Sequence, residues 1–489
     1  MSFLKNRTMC NLVIIFIFLQ ACSAEYLYNS SNPETREYWF RFLIQKEDII
    51  SEINMETEIR EETIESETEI FDEDLGSLSL EWVLLQGAPR ARTYGMNIGI
   101  DHNDFIYVAG DTNEALFQRQ LIGKRDVILG KYDSRKNIIW RKQIGASQAM
   151  LQVKDFGVDP NGNSYILGLT WDDFAGPASG KSELFLIKFN SEGTQIWAKR
   201  VSNRGLYDLY PDKIAIDELG NSYIIGNSTG SFEDNTSGNC TFVLKFDTNG
   251  NQIWIKQIAI AGATIVPNGV AIDKVTGSIY ITGSGNANFE TLSRLNADTS
   301  LLFIFKYDSN GSRQFFAQLG FASSTTEGIS ISLDPLSNVF VGGKTNVDLE
   351  SGEQTNFRGF LVKYDSSGFL KWIRHFGPIS SDKHSDKQTV VNAILTDEVG
   401  NVFLTGGSNA NLLDEAESSV GNRDLFLIKY NSSGENKWFQ QVGTVESSIN
   451  SAGLARDSEG NLYCSGYSNG SINEVSKIGF QDLFILKYR

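Results

Sequence analysis

Histidine, positive charge and long hydrophobic runs are all scarce in this sequence, and each shortage excludes a class of protein. The chain has 43 lysine and arginine residues against 60 aspartate and glutamate residues and no basic stripe, which argues against a nucleic-acid-binding protein. After the first 22 residues, no apolar run is long enough to cross a membrane. A histidine-rich metal site is unsupported, because the three histidines are scattered: His102, His375 and His384.

Cysteine and the signatures of common catalytic sites are scarce as well. Cys10 lies in the N-terminal signal segment and Cys22 directly follows it as the candidate for lipidation, so Cys240 and Cys464 remain of the four cysteines. These two fall in different repeats, and two unmatched cysteines do not make a disulfide framework. The sequence has no nucleophile elbow, no glycine-rich phosphate loop and no pair of acids that stands out from the acids of its turns. We therefore expect no catalytic residue, cofactor or metal.

Residues 1–21 are predicted to be a lipoprotein signal peptide. Lys5 and Arg7 give it a charged start, and the apolar stretch that follows is too short to span a bilayer comfortably. It ends in "LQAC", which resembles the bacterial lipobox, where the signal is cut before a cysteine that then carries lipid. Gln20 departs from the small residue usual there, and an ordinary secretory signal is the alternative. The resemblance implies that lipidated Cys22 tethers the mature protein to a membrane.

Residues 22–78 differ from everything that follows and are predicted to be an acidic stalk. Within them, residues 25–75 hold 16 acidic and 4 basic side chains, and so carry most of the net charge of −17. The stretch 33–53 is compatible with a helix that has an aromatic face, and Pro33 suits a first helical turn. Two alternatives remain open: a largely disordered stalk, or a helix that docks on a partner or on the following domain.

From residue 80 onward one pattern recurs seven times. Each copy opens with an aspartate, a turn, an aromatic residue and a glycine, as in "VDPNGNSYILG". An apolar run that ends in lysine and an aromatic residue follows, as in "LFLIKFN", and then a turn that leads to tryptophan or phenylalanine. The last lysine, in "DLFILKYR", has no such segment after it. The matching segment, "LEWVLLQG", stands before the first full copy.

This repeat predicts an all-β fold. Each copy contains four short segments rich in β-branched and aromatic residues, bounded by glycine, asparagine, aspartate and serine. Four strands that recur at a fixed period indicate a propeller blade. We predict a seven-bladed β-propeller of four-stranded antiparallel blades over residues 79–489. The split repeat predicts that the N- and C-terminal strands pair in one blade and close the ring, which covers exposed sheet edges.

The seven copies resemble the SBBP family of seven-bladed β-propeller repeats, which occur in bacterial envelope proteins such as spirochaete lipoproteins. The resemblance covers roughly residues 80–489. It implies a propeller and a location in the bacterial cell envelope, which for a lipidated chain we expect to be the outer membrane. It implies no settled biochemical activity.

A lysine and an aspartate recur in every copy, and we interpret both as structural, because an enzyme site rarely has sevenfold symmetry. On a blade, the end of strand 3 and the turn between strands 1 and 2 share a face about 10 Å apart, within reach of a lysine–aspartate contact. Such contacts would fix blade geometry more than add stability. The residues are Lys131, Lys188, Lys245, Lys306, Lys363, Lys429 and Lys487, and Asp101, Asp159, Asp217, Asp273, Asp334, Asp397 and Asp457.

Two turn motifs resemble ligand sites but are interpreted as turns. "DPNGN" at 159–163 and "DTNGN" at 247–251 resemble the start of a calcium loop, yet the twelfth positions are Thr170 and Ile258, and neither is acidic. "DTNGNQIW" is also similar to quinoprotein propeller repeats. Those repeats have a different strand pattern and lack the lysine-aromatic motif, so we expect no quinone cofactor.

Function is expected where the repeats differ. Short, uniform turns share one face of the predicted disc, whereas the long connections from strand 2 to strand 3 and from blade to blade share the other. In the loop 170–182, Trp171, Asp172 and Asp173 depart from the repeat and are candidate ligand-binding residues. We expect three aromatic residues to hold loops to blades: Phe174, Phe232 and Phe289.

Two hypotheses follow. The first is a lipid-anchored envelope protein whose rigid propeller presents its loop-rich face to a protein or glycan, and not to nucleic acid. The second is an enzyme, a lyase, a hydrolase or quinoprotein-like, with its active site at the mouth of the central channel. The absence of a non-repeated cluster of histidine, aspartate and glutamate favours the first. Convergent non-repeated polar residues at the channel mouth would favour the second.

Overall fold

The computed structural model describes residues 78–117, 120–232, 237–378, 387–412 and 419–489. The predicted signal peptide, Cys22 and all of the predicted stalk except Leu78 lie outside the described residues, as does His384. The described residues form strands, turns and loops without a helix. Accordingly, they contain no helix that is long and apolar enough to cross a membrane.

Seven four-stranded antiparallel sheets form the blades. Blade 1 contains β2 (Thr93–Ile100), β3 (Ile106–Thr112), β4 (Asp126–Tyr132) and β5 (Ile138–Ile144). Blade 2 contains β6 (Gln152–Val158), β7 (Ser164–Thr170), β8 (Glu183–Phe189) and β9 (Gln195–Val201). Blade 3 contains β10 (Leu209–Ile216), β11 (Ser222–Gly230), β12 (Ser237–Phe246) and β13 (Gln252–Ile258).

Blades 4 to 6 repeat this arrangement. Blade 4 contains β14 (Ile265–Ile272), β15 (Ile279–Gly285), β18 (Leu301–Tyr307) and β19 (Arg313–Leu319), and its loop holds the hairpin β16 (Ala287–Asn288) and β17 (Ser293–Arg294). Blade 5 contains β20 (Thr326–Leu333), β21 (Val339–Val347), β22 (Gln354–Tyr364) and β23 (Leu370–Phe376). Blade 6 contains β24 (Thr389–Thr396), β25 (Val402–Ser408), β26 (Asp424–Tyr430) and β27 (Asn436–Val442).

Blade 7 joins the two ends of the propeller, as the split repeat predicts. It contains β28 (Ile449–Arg456), β29 (Leu462–Ser468), β30 (Asp482–Tyr488) and β1 (Leu80–Gln86). β1 pairs antiparallel with β30, and the pairing continues at Ser79 and Arg489, whose main chains exchange two hydrogen bonds of 2.9 Å. The N-terminal strand thus completes the last sheet and leaves the ring without a break between blades.

The core lies between blades. The middle strands of blade 2, β7 and β8, are buried at every position, because a neighbouring blade covers each of their faces. One hydrophobic cluster, for example, joins Leu167 and Leu186 of blade 2 to Ile224 and Phe242 of blade 3. Middle strands that are apolar on both faces therefore form the interior, whereas the fourth strands of blades 1 to 6 each begin with two exposed residues.

The first strands of the seven blades contact one another in a closed ring around the axis. Each turn from strand 1 to strand 2 lies at one end of this ring, on the same side as each turn from strand 3 to strand 4. We call this side the short-turn face. The connections from strand 2 to strand 3 and from blade to blade form the opposite side, the loop-rich face. The predicted separation of uniform and variable connections is therefore present.

Candidate functional site

The repeated aspartates organise the turns between strands 1 and 2. Oδ1 of Asp159 accepts the main-chain N–H groups of Asn161 at 3.0 Å and Asn163 at 2.9 Å, which closes the turn. Gly162 in this turn has a φ of 78°, a left-handed conformation that glycine adopts without strain. The second carboxylate oxygen accepts a bond of 2.7 Å from the Asn163 side chain. The resemblance to a calcium loop thus reflects hydrogen bonding within a turn.

The repeated lysines reach further than the sequence alone predicts, because they bind the next blade. Lys188 Nζ and Trp197 Nε1 of blade 2 donate to the same carbonyl oxygen, that of Thr248 in blade 3, at 3.0 and 3.2 Å. We call this arrangement the lysine–tryptophan clamp. It recurs as Lys131 and Trp140 on Ser191, Lys245 and Trp254 on Ser309, Lys363 and Trp372 on Ser432, and Lys487 and Trp82 on Ser134.

Contacts between the repeated lysines and aspartates are secondary to the clamp. Lys131 Nζ lies 3.6 Å from Asp101, and Lys363 Nζ lies 3.9 Å from Asp334, whereas Lys487 forms its ion pair with Glu81 at 2.8 Å. All seven lysines also place Nζ over the ring of the strand-2 aromatic residue of their own blade, at 4.8 to 5.8 Å. These contacts occur in register around the ring, and the structural interpretation stays a prediction for the stability measurements below.

The candidate binding loop of blade 2 is anchored through its acids. Asp172 accepts the main-chain N–H of Met150 at 2.8 Å, and Asp173 accepts that of Ala178 at 2.7 Å. Trp171 keeps 42% of its surface exposed on the loop-rich face. Of the three predicted binding residues, the tryptophan is therefore the one whose side chain is most available to a ligand.

Aromatic residues hold the loops to the blades, as the sequence predicts. Phe174, Phe232 and Phe289 pack edge-on against blade phenylalanines, with ring centroids 5.3, 5.7 and 5.4 Å apart. These three rings thus fix loops that would otherwise be free to move. The two cysteines of the propeller, Cys240 and Cys464, are buried and unpaired.

The channel wall on the loop-rich face holds the strongest departures from the repeat. Near that end every first strand has a one-residue bulge. The side chain at the bulge and the one two residues before it are half-buried or exposed, while the residue between them is buried. We call these fourteen positions the channel mouth: Tyr94 and Met96, Gln152 and Lys154, Tyr210 and Asp212, Val266 and Asn268, Glu327 and Ile329, Val390 and Asn392, and Asn450 and Ala452.

Charged residues gather on the blade 2 and blade 3 side of this mouth. Lys154 and Asp212 occupy the bulges of β6 and β10, and Asp155 and Lys213 follow them directly. In the other five blades, the bulge and the residue after it are uncharged. A mixed cluster of two lysines and two aspartates therefore occurs once in the ring of first strands.

Asp155 is the buried member of this cluster and connects three blades. It is 2% exposed, and its carboxylate accepts bonds of 2.8 Å from Asn97 Nδ2 of blade 1 and 2.9 Å from the main-chain N–H of Ile214 in blade 3. Lys213 Nζ lies 3.9 Å from Asp155, and this carboxylate, followed by Asp212, raises the pKa of Lys213. Asp155 is thus a satisfied structural acid.

Asp212 is placed differently. Burial raises its pKa to about 6, and the charge of Asp155 adds to this, while Lys213 and Lys154 act in the opposite direction. In blade 1, Asp111 is fully buried, and burial raises its pKa to about 7 although Arg125 lies 2.9 Å away. The charged cluster therefore combines one fixed acid, Asp155, with a half-buried acid at the mouth, Asp212, whose pKa of about 6 lies above its ordinary value.

Sequence reasoning missed this cluster because it looked for variation only in the loops. The signal was present: when the seven first strands are aligned on their turn aspartates, "VKDFGVD" and "PDKIAID" alone carry charges five and four residues before that aspartate. Asp155 and Asp212 are paired acids distinct from the turn acids, contrary to the expectation. Within the described ranges, histidine, cysteine and acidic side chains form no group of three or more that could hold a metal.

The fold and the repeated clamps define this chain as a seven-bladed β-propeller of tandem repeats. It matches the model of the SBBP family, described as "Beta-propeller repeat", at residues 81–118, 139–175, 196–233, 253–290, 314–350, 371–414 and 437–473. These matches cover more than half of the sequence, and the chain belongs to this family. Each match starts at the outer strand of one blade and continues through the first two strands of the next, which explains the split repeat.

Comparison with individual proteins adds little on activity. None of the curated proteins compared with the chain matches it. Among solved structures, a chain of the mitotic checkpoint complex aligns at 10% identity and a TM-score of 0.44, over 84% of this chain and 94% of that chain. The β-propeller domain of the Trilobed protease from Pyrococcus furiosus aligns at 10% and 0.44, over 80% and 95%. Polysaccharide lyase Uly1 aligns at 12% and 0.43, over 81% and 89%. Such weak likenesses say nothing about what this chain binds.

Proposed function

We propose that this chain is a lipid-anchored protein of the bacterial cell envelope whose propeller is a rigid binding scaffold. The partner, a protein or a glycan, binds on the loop-rich face. The observation that carries this proposal is the division between the two faces. Residues that repeat in every blade serve the short-turn face, while non-repeated residues gather at the channel mouth and in the loops beside it.

The binding test compares variants of the two faces of the full-length protein. In one variant, residues 171–181 are replaced by a short glycine-serine connection, which removes the exposed Trp171. The matched control replaces Leu219 and Val275 with serine, because these side chains are 79% and 86% exposed on the short-turn face. A partner captured from envelope extracts should be lost with the first variant and kept with the second. The reverse result would move binding to the short-turn face.

The anchoring test concerns Cys22. Replacing it with alanine should release the protein from the membrane fraction, because the acyl chains provide the attachment. The control replaces Cys10 with alanine, since this residue leaves with the predicted signal. If both variants stay in the membrane fraction, the lipobox interpretation is wrong.

A second candidate function is catalysis at the channel mouth. It is favoured by the non-repeated charged cluster, in which Asp212, with a pKa of about 6, lies near Lys154 and Lys213. An acid with this pKa has a suitable titration range for general acid–base chemistry near neutral pH. The test is turnover of bound glycans by the wild-type protein and by Asp212→Asn. Binding without turnover would leave the scaffold as the function.

A further inference from the structure

Four side chains of blades 2 and 3 share one side of the channel mouth. Gln152 and Lys154 lie on β6, and Tyr210 and Asp212 lie on β10, each pair two residues apart. Residues two apart on a strand point to the same side. In both strands this side is half-buried or exposed, while the residues between and before are buried. Because β6 and β10 are neighbours in the inner ring, the four side chains form one patch.

The polar members of this patch form no hydrogen bond within the described part of the protein. Among the described residues, the side chains of Gln152, Lys154 and Asp212 make no hydrogen bond or ion pair. Three polar residues elsewhere in the mouth are paired: Asn268 donates to the Gly328 carbonyl at 2.9 Å, Asn392 donates to the Ser451 carbonyl at 3.0 Å, and Glu327 lies 3.2 Å from Lys344 Nζ. Half-buried polar groups without a partner favour a ligand or water that can pair with them.

The charge of the patch favours an uncharged ligand. Lys154 and Lys213 are balanced by Asp155 and Asp212, so the site at neutral pH has no net charge with which to select an anion or a cation. Hydroxyl groups are both donors and acceptors and can therefore pair with a lysine and a carboxylate at once.

Tyr210 supplies the apolar part of the site. It is 44% exposed, whereas the equivalent Tyr94 of blade 1 is half-buried between Tyr467 and Arg125, and the equivalent in blade 4 is the aliphatic Val266. An aromatic ring with a free face can stack against the C–H face of a pyranose, while its hydroxyl stays in water. The exposed Trp171 lies on the same face of blade 2, in the direction that a longer ligand would follow out of the channel.

We infer that Gln152, Lys154, Tyr210 and Asp212 form a binding site for an uncharged oligosaccharide. Tyr210 stacks on a sugar ring, Gln152 and Asp212 accept hydrogen bonds from sugar hydroxyl groups, and Lys154 donates hydrogen bonds to hydroxyl or ring oxygens. This inference rests on the proposed binding function of the loop-rich face and names the chemical class of its ligand.

The experiment titrates the full-length protein, in detergent, with defined hexasaccharides by calorimetry at pH 7.5. The uncharged probes are cellohexaose, maltohexaose and chitohexaose, and the charged probes are hexagalacturonate and a chitosan hexamer. At least one uncharged probe should bind, and more tightly than either charged probe. The inference is overturned if no uncharged probe binds or if a charged probe is preferred.

The variants locate the binding. Tyr210→Ala should weaken it at least tenfold and Asp212→Asn at least fivefold, whereas Tyr210→Phe, which keeps the ring, should stay within threefold of the wild type. The matched control carries Ile329→Ala and Val390→Ala, at the same two positions on the far side of the mouth, and should bind normally. Melting curves show that each variant is folded. Unchanged binding by folded Tyr210→Ala or, if that variant does not fold, by Asp212→Asn excludes this site.

The outcome also separates this inference from the scaffold proposal. Loss of the envelope partner in the loop-replacement variant, together with no binding of uncharged hexasaccharides, would retain a binding face and reject the sugar site. Normal capture of the partner by the loop variant, together with sugar binding that the Tyr210 and Asp212 variants abolish, would retain the sugar site and reject the loops as the partner's contact.

Discussion

The two faces of this propeller are made by the same repeats, yet they use sequence in opposite ways. On the short-turn face, a lysine, a tryptophan and an aspartate recur from blade to blade, and the clamps repeat the same hydrogen bonds. At the channel mouth, fourteen equivalent positions carry ten different residue types. Repeated residues join one blade to the next, so they are the part of the repeat that the fold constrains. Positions at the mouth face open space, so they are free to differ and to bind.

The largest expected effect comes from removing the strand that closes the ring. Deleting residues 482–489 removes β30, the strand between β29 and β1, and leaves two edges bare. We expect misfolding or aggregation. Deleting residues 1–78 should leave a soluble domain of monomer size that melts like the full chain. Melting curves and size-exclusion chromatography measure both. Equal melting of the two truncated proteins would contradict closure of the ring by β1 and β30.

A smaller effect is expected from one clamp lysine. Lys245 donates to the Ser309 carbonyl at 3.2 Å and lies over the Tyr223 ring, and burial lowers its pKa. Lys245→Met should cost about 1–2 kcal/mol of stability, because the half-buried Ser309 carbonyl keeps only Trp254 as a donor and the lysine loses its contact with the Tyr223 ring. Partner binding on the opposite face should be unchanged. Chemical denaturation and capture of the partner measure the two properties. Full stability with lost binding would make the lysine functional.

The sequence predicted the fold well, because its signals are local and repeated. Seven copies of four short apolar segments determine the strands, and the split between "DLFILKYR" and "LEWVLLQG" determines the closure. It predicted the lysine partners only in part. Lys188 binds a carbonyl 60 residues further along the chain, and a main-chain acceptor leaves no mark on the residue type that carries it.

The channel mouth was harder to predict for another reason. Lys154 and Asp212 look like ordinary polar residues on half-buried strands, and it is the bulge in each first strand that places them at the mouth. The bulge has no fixed residue signature here, since seven first strands with different sequences all have it at the same position. The acids Asp155 and Asp212 stand out once the first strands are aligned in three dimensions.

The clamp can be tested more finely through its tryptophans. Trp197 Nε1 donates to the Thr248 carbonyl, in the turn between strands 3 and 4 of the next blade, at 3.2 Å. Blade 7 has no such turn, because its third and fourth strands, β30 and β1, are not consecutive in the chain, and Trp438 of blade 6 packs edge-on against Tyr488. Trp197→Phe should cost about 1 kcal/mol more than Trp438→Phe, because only the first loses a hydrogen bond to a turn carbonyl. Phe315 holds the equivalent position in blade 4, so phenylalanine is tolerated there. Equal losses in both variants would assign the contribution of tryptophan to packing alone.

The smallest expected effect tests the channel mouth and concerns the pH dependence of stability at Asp212. Its folded-state pKa is raised from 3.8 to about 6, so between these values the folded protein holds more protons than the unfolded chain. The contribution of the protonated Asp212 carboxyl to stability is complete below pH 3.8, falls as the pH rises, and is lost above about pH 6. Asp212→Asn does not titrate, so its stability relative to the wild type should increase from pH 4 to pH 7 and then stay constant. We expect a change of about 1 kcal/mol, since a half-buried carboxylate keeps part of its water. Denaturation curves of both proteins at several pH values measure this difference. If the difference in stability between the two proteins does not change with pH, Asp212 is as well hydrated in the folded protein as in the unfolded chain. The mouth would then not exclude water from a bound ligand.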